Sequence, residues 1–109
     1  MNNALSNAPD ATMPSAYIIS EVTITNEPQM VKYREWSTRA MQEFGAEVIV
    51  RGGDAETLEG TWKPQRMVVL KFKDRATARA FYHSETYSQA RRVREGAGTI
   101  RMIVVDGAN

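Results

Sequence analysis

The sequence predicts one α+β domain whose strands and helices follow the order βαββαβ. Three observations lead to this fold class: an alternating apolar segment near residue 20, a long amphipathic segment after Asn26, and two β-branched runs in the middle of the chain. The chain has 109 residues, of which 42% are hydrophobic and 25% charged. This size and composition are those of a single globular domain with one core.

The first fifteen residues differ from the rest in composition. They are rich in Asn, Ala, Pro and Ser and show no apolar periodicity that could dock on a core. We therefore predict a disordered tail at 1–15 and place the folded domain at 16–107.

The segment Tyr17–Thr25 predicts the first strand, because apolar residues recur at every second position on one of its faces. Asn26 followed by Pro28 is typical of a helix start, since Asn accepts backbone N–H bonds and the fixed φ of proline suits the first turn. Gly45 offers a left-handed cap. Residues that recur at helical spacing between these limits are Met30, Tyr33, Ser37, Ala40, Met41 and Phe44.

Two β-branched runs, Glu47–Arg51 and Met67–Phe72, predict adjacent antiparallel strands. The connection between them is rich in Gly, Glu, Trp and Pro, and we expect a short extra strand around Glu56–Glu59. Further along, Asp74 is placed to cap a second helix and Ser84 to restart it. Ile100–Val105 then predicts the fourth strand.

This order gives a ferredoxin-like βαββαβ sandwich, an antiparallel sheet with its helices on one face. The other face is left uncovered and carries too many apolar side chains to face water. Its expected members are Tyr17, Ile19, Ile49 and either Met67 with Val69 or Val68 with Leu70. We expect a second copy to cover this face, giving a homodimer through the open sheet face.

Composition excludes several function classes. Fourteen basic and thirteen acidic residues give a net charge of +1, so no overall field would attract nucleic acid or an anionic membrane. The absence of cysteine and the single histidine exclude thiolate and histidine-rich metal sites. No apolar run reaches the roughly 20 residues of a membrane span, and we expect a cytoplasmic protein without a cofactor.

Candidate binding residues lie at both ends of the long connection. Arg51, Gly52 and Gly53 directly follow a strand, where paired glycines let backbone N–H groups approach an anion beside a fixed charge. Trp62 and Arg66 precede the next strand and offer an indole and a guanidinium for a flat or carboxylated ligand. The alternatives are a strand-ending turn with a solvated arginine and a tryptophan that packs on the core edge.

A second group of candidates surrounds the break in the second helical region. His83 is the only side chain whose unperturbed pKa lies near neutrality, so we take it as the candidate catalytic base. Tyr87 and Arg91 are one helical turn apart and could meet an anion together. The alternatives are a turn histidine beside an N-cap, Ser84, and arginines that only complement the helix dipole.

Glu21 is the one acid in the first strand. It predicts either a buried catalytic carboxylate inside a dimeric barrel or a partner for an arginine on a neighbouring strand.

Several of these motifs occur together in a known family. The run Arg51-Gly52-Gly53, the segment Leu58–Arg66 (LEGTWKPQR), the segment Phe81–Tyr87 (FYHSETY), and Arg91 with Arg94 follow in the same order and spacing. In these features the chain, from Tyr17 to Val105, resembles domain of unknown function family 1330 of the dimeric α+β barrel superfamily. The resemblance implies a ferredoxin-like fold and a dimer whose two sheets form a barrel.

The family has no assigned activity, so the resemblance leaves the reaction open. Relatives in the wider superfamily include cofactor-free monooxygenases, muconolactone isomerases, haem enzymes and stress-responsive proteins. The chain also departs from the usual Asn-Ser-Pro-Glu-Tyr run of the family, because residues 83–87 read His-Ser-Glu-Thr-Tyr and place the acid one position earlier.

We expect a small-molecule-binding domain. In its enzymatic form it would perform acid–base chemistry on a small anionic or carbonyl-bearing organic compound. The alternative is a non-catalytic stress or regulatory dimer that acts as an interaction scaffold. An enzyme predicts that Arg51, Trp62 and His83 converge on one concave site, whereas a scaffold predicts that they are dispersed. Haem binding is a third hypothesis and would require His83 as axial ligand.

Overall fold

The computed structural model describes residues 13–109 and confirms the predicted element order, with the second helical region divided into two helices. The elements are β1 (Ala16–Ile24), α1 (Glu27–Phe44), β2 (Glu47–Gly53), β3 (Arg66–Phe72), α2 (Arg75–His83), α3 (Glu85–Val93) and β4 (Gly98–Asp106).

The four strands form one antiparallel sheet in the order β2-β3-β1-β4. The central strand β1 pairs with β3 and β4, so that Ile18 lies opposite Leu70 on one side and Val104 on the other. The helices cover the face of the sheet that holds these three residues. This arrangement is the ferredoxin-like sandwich that the sequence predicts.

The described part of the chain begins at Met13. Residues 1–12 of the predicted tail lie outside the described part of the chain. Ser15 donates a backbone hydrogen bond to Asn109 and accepts one from Gly107, both at 2.6 Å. Backbone pairing therefore starts one residue before 16 and continues past 107.

Side-chain caps set the helix starts as predicted. The Asn26 side chain accepts from the backbone N–H of Gln29 and begins α1, and Gly45 ends α1 with a φ of 66°. The Asp74 carboxylate accepts from the N–H of Thr77 at 2.7 Å. Ser84 Oγ accepts from the N–H of Tyr87 at 3.0 Å. Because an apolar side chain could not accept from these N–H groups, the caps fix where each helix begins.

The expected extra strand at Glu56–Glu59 is wrong. Residues 54–65 form an irregular connection without strand pairing. Within this connection, Thr57 Oγ1 donates a hydrogen bond to the Trp62 carbonyl. A glycine, a proline and several charged side chains leave this segment no alternating apolar face that could join the sheet.

Strand β2 is not regular. Val48 lies opposite Leu70 and Val50 lies opposite Val69, so two residues of β2 stand against one residue of β3 at this point. Such a bulge reverses the alternation of the residues that follow it. Arg51 consequently lies opposite Val68, on the face that the helices cover.

An aromatic cluster forms the centre of the core between the sheet and the helices. Phe72, Phe81 and Tyr87 are the largest side chains that are almost fully buried. The ring centroids of Phe81 lie 4.6 Å from Tyr87 and 5.1 Å from Phe72. Phe44 adds an edge contact with Phe81.

The opposite face of the sheet has no cover within the described chain. The register places Met67 and Val69 on it, which decides between the two predicted pairs. Ile103 is 60% exposed and Val105 41% exposed on this face. Ile49, on the edge strand β2, is exposed as well.

Candidate functional site

A cavity of about 140 Å³ lies between α1 and the sheet. All four strands contribute to its wall, since Val48, Val68, Ile18 and Met102 line it. The wall is mostly apolar. Its other apolar side chains include Val22, Met30, Met41, Leu70 and Phe81.

Arginine side chains occupy the wall of this cavity that β2 and β3 form. Arg51, Gly52 and Arg66 all line it, as part of the predicted binding group. Gly52 has a φ of 64°, and a Cβ there would lie 2.6 Å from Arg66 Nη2. The positive φ favours glycine here, and a larger residue would displace the Arg66 guanidinium from the backbone beside Arg51.

No acidic side chain in the described part of the chain pairs with either guanidinium. Within residues 13–109, the Arg51 and Arg66 side chains form no ion pair and no hydrogen bond. Both residues are exposed. Each guanidinium offers several N–H donors in a planar arrangement that suits a carboxylate. Arg34 also lines the cavity, but it is paired with Glu27 at 2.7 Å.

Two tyrosines from different helices meet at the same cavity. The hydroxyl oxygens of Tyr33 on α1 and Tyr87 on α3 lie 2.6 Å apart. Arg94 Nη1 donates to the hydroxyl of Tyr87 at 3.0 Å and to that of Tyr33 at 3.4 Å. Burial raises the pKa of the Tyr87 phenol, so this hydroxyl keeps its proton at neutral pH.

Two buried serines add hydroxyl groups to the cavity wall. Ser20 on β1 and Ser37 on α1 are each 6% exposed. Ser20 Oγ lies 3.5 Å from the Val68 carbonyl, and Ser37 Oγ lies 3.4 Å from the Arg34 carbonyl. Because both distances are long for O–H donors, these hydroxyls are only weakly engaged by the protein.

Three predicted binding residues lie elsewhere in the protomer. Gly53 ends β2 but does not line the cavity. Trp62 is 59% exposed on the connection between β2 and β3. The Arg91 guanidinium lies 4.5 Å from the ring centroid of Tyr82 and donates to Ser88 Oγ, while its buried Nε has no partner in the described chain.

His83 lines a different, more open cavity of about 520 Å³ beside the edge strand β4. Its imidazole packs edge-on against Tyr82, at 5.2 Å between centroids. Arg75, Arg79 and Arg94 line the same cavity. Arg51, Trp62 and His83 therefore do not share a cavity within one protomer.

Glu21 lies on the open face and pairs with an arginine of the neighbouring strand, one of the two predicted roles. Arg101 on β4 donates to Glu21 through Nε at 3.0 Å and through Nη2, and the backbone N–H of Gln65 donates at 2.8 Å. These hydrogen bonds, with Arg101 as the larger contribution, lower the pKa of the Glu21 carboxyl.

Sequence reasoning missed Tyr33, Ser20 and Ser37 as cavity residues. A signal for two of them is present, because Tyr33 and Ser37 place hydroxyl groups within the apolar stripe of α1. A polar residue at a buried helical position requires a hydrogen-bond partner or a ligand. The partner, Tyr87, lies 54 residues away and could not be identified from spacing.

In the part of the chain that the structure describes, no three acidic or histidine side chains are grouped as a metal site would require. None of the helices in residues 13–109 is long and apolar enough to cross a membrane.

Solved structures show the same fold class, ferredoxin-like α+β. The RPA0582 protein of unknown function from Rhodopseudomonas palustris is similar with a TM-score of 0.71 and 15% identity, over 88% of this chain and 84% of that one. A dimeric ferredoxin-like protein of unknown function from Jannaschia sp. CCS1 has a TM-score of 0.58 and 16% identity, over 85% and 99%.

A third similar structure belongs to an enzyme. SnoaB, a cofactor-independent oxygenase from Streptomyces nogalater, has a TM-score of 0.56 and 8% identity, over 88% of this chain and 95% of that one. At these identities the likeness concerns the fold alone. No curated protein matches the chain.

The family is established by sequence. The model of the family described as Domain of unknown function (DUF1330) matches residues 15–108, and the chain belongs to this family.

Proposed function

We propose that this domain binds a small organic anion in the cavity between α1 and the sheet. Its carboxylate would lie between Arg51 and Arg66 and its apolar body would fill the cavity. The observation that carries this proposal is that Arg51 and Arg66 line a mostly apolar cavity and have no anionic partner in residues 13–109. Apolar walls with a few convergent polar groups are typical of small-molecule sites.

Cavity size limits the ligand. An apolar cavity of about 150 Å³ accepts one benzene ring. The present cavity has about 140 Å³. A single-ring aromatic carboxylate, whose charged group extends toward the arginines, therefore fits the proposal best.

The proposal is tested by calorimetric titration with benzoate and with the neutral analogue benzamide. We expect benzoate to bind more tightly, and the double variant Arg51→Gln/Arg66→Gln to lose at least about tenfold in benzoate affinity, since charge-assisted hydrogen bonds contribute roughly 1.5–3 kcal/mol. Arg92→Gln, an exposed arginine on α3, is the matched control. Equal benzoate affinity in the double variant, or no binding by the wild type, would contradict the proposal.

An enzymatic role for His83 stays a prediction. Within a protomer His83 does not line the cavity that holds Arg51, so acid–base chemistry on a ligand there would require a contribution from elsewhere. The likeness to SnoaB supports only that a related fold can host cofactor-independent chemistry. Unchanged turnover of a His83→Ala variant, once a substrate is found, would reject the role.

We further propose that the domain works as a homodimer through its open sheet face. The exposed side chains of Ile49, Ile103 and Val105 on this face support the proposal, because water-exposed apolar patches of this kind usually mark interfaces. A solved neighbour described as dimeric adds support. Light scattering coupled to size exclusion should give twice the mass of 12.2 kDa. A monomer at micromolar concentration would contradict this arrangement.

An interaction scaffold is the second candidate function. One observation favours it, namely that Arg51, Trp62 and His83 are dispersed within the protomer. The same titrations discriminate between the candidates. A well-folded dimer that binds neither benzoate nor other carboxylated metabolites would favour the scaffold.

A further inference from the structure

The direction of the hydrogen bond between the Tyr33 and Tyr87 hydroxyls follows from the number of protons that each can donate. A phenol has one proton to donate and can accept at its oxygen. Tyr87 already accepts from Arg94 Nη1 at 3.0 Å. Tyr87 is also 1% exposed, so its own proton needs a partner inside the protein.

Within the described chain, that partner is Tyr33. If Tyr33 donated to Tyr87 instead, Tyr87 would accept two hydrogen bonds and its own proton would be buried without a partner. An unpaired buried donor is costly, so Tyr87 donates to Tyr33 across the 2.6 Å contact. The chain of donation runs from Arg94 through Tyr87 to Tyr33.

Within residues 13–109, the proton of the Tyr33 hydroxyl has no acceptor. The Tyr33 oxygen accepts from Tyr87 and, in a longer contact at 3.4 Å, from Arg94, and its side chain is only partly buried and lines the cavity. A donor that itself accepts from a polarised group becomes a stronger donor. The cationic Arg94 at the start of the chain therefore strengthens the Tyr33 hydroxyl.

We propose that Tyr33 is the hydrogen-bond donor that recognises a carbonyl or other acceptor oxygen on the cavity ligand. This inference rests on the proposed anion site and specifies its ligand class. The ligand is an aromatic carboxylate that also carries an acceptor oxygen outside its carboxylate group. The two recognition points come from different parts of the fold, the arginines from β2 and β3 and the phenol from α1.

The test compares benzoate with 3-formylbenzoate and 4-formylbenzoate, which add one carbonyl oxygen. For the wild type we expect one formyl isomer to bind roughly five- to tenfold more tightly than benzoate, the effect of one hydrogen bond. In Tyr33→Phe the ratio of the formylbenzoate affinity to the benzoate affinity should fall close to one. Tyr17→Phe, a tyrosine on the open sheet face, is the matched control and should keep the ratio.

A second variant tests the direction of donation. Tyr87→Phe removes the relay but leaves the Tyr33 hydroxyl, so the ratio should fall less than in Tyr33→Phe. Thermal denaturation of each variant checks that it is folded.

Each outcome has a separate meaning. If the wild type binds benzoate but neither formyl isomer better, the role of Tyr33 is overturned and the anion site stands. An unchanged ratio in Tyr33→Phe, or a larger loss in Tyr87→Phe than in Tyr33→Phe, also overturns it. No binding of any of the three probes overturns the anion site and the inference together.

Discussion

The two faces of the sheet are built from alternate residues of the same strands, and both are apolar. On β4, Met102 and Val104 face the helices and are partly buried, whereas Ile103 between them is 60% exposed. The covered face holds the aromatic core and the cavity, and the open face has no cover in residues 13–109. Apolar content alone therefore does not distinguish the covered face of the sheet from the open one; what packs against each face does.

A charged substitution on the open sheet face should have the largest of the expected effects, a loss of the proposed dimer. Ile103→Asp places a charge at the proposed interface, and two-fold symmetry places it there twice. Burying isoleucine contributes roughly 1.5–3 kcal/mol per copy, so the dimer should weaken by at least about a hundredfold. Sedimentation equilibrium measures this change.

Val31→Asp is the control for that variant. Val31 is also an exposed apolar residue, at 46%, but lies on α1. An equal loss of dimer in both variants, or none in Ile103→Asp, would show that the open face is not the interface.

Breaking the covered face should destabilise the fold itself. Phe81→Ala removes a ring that contacts Phe72 and Tyr87, and we expect a loss of about 3–5 kcal/mol in the free energy of unfolding, as for other buried phenylalanines. Urea denaturation measures it. A loss below about 1 kcal/mol would mean that the cluster can close around the gap.

The cap at Ser84 should have a smaller effect on the same face. Ser84→Ala removes the acceptor for the N–H of Tyr87 and should cost about 1 kcal/mol. Ser88→Ala, within the same helix, is the control and should cost less. Equal losses in the two variants would indicate a general effect of serine removal on α3 rather than a cap.

The smallest expected effect is a pH dependence at Glu21. Its folded pKa lies below the ordinary value of 4.5, so its contribution is present above pH 4.5 and is lost as the pH falls through the folded pKa. The melting temperature of the wild type should exceed that of Glu21→Gln at pH 7, and the gap should close in acid. In an Arg101→Gln background the gap should already be small. A gap that is constant with pH would contradict this account.

Local signals predict most of the fold. Asn26, Asp74 and Ser84 act on backbone groups three residues away, and Gly45 acts on its own helix, so the sequence alone locates the helix starts and the end of α1. The connection at 54–65 was predicted less well, because a short run such as Glu56–Glu59 carries no period long enough to indicate a strand.

The candidate site depends on contacts between distant residues, and only part of it could be predicted. Arg51 and Arg66 are cationic residues next to predicted strands, so the sequence itself identifies them as candidates for anion binding. Tyr33 has no such mark, because its role follows from Tyr87 and Arg94 across more than 50 residues. Likewise, nothing in the spacing of His83 indicates that it faces a different cavity from Arg51.

The bulge in β2 has a consequence for aligning this strand with those of related proteins. Arg51 follows the inward-facing Val48 by three positions, yet faces the same side, because Ile49 and Val50 together stand against Val69. A relative with a regular strand would carry the equivalent arginine only two positions after its buried valine. An alignment without a one-residue gap here would pair Arg51 with a residue on the wrong side of the sheet, and would overlook the site in a relative that has it.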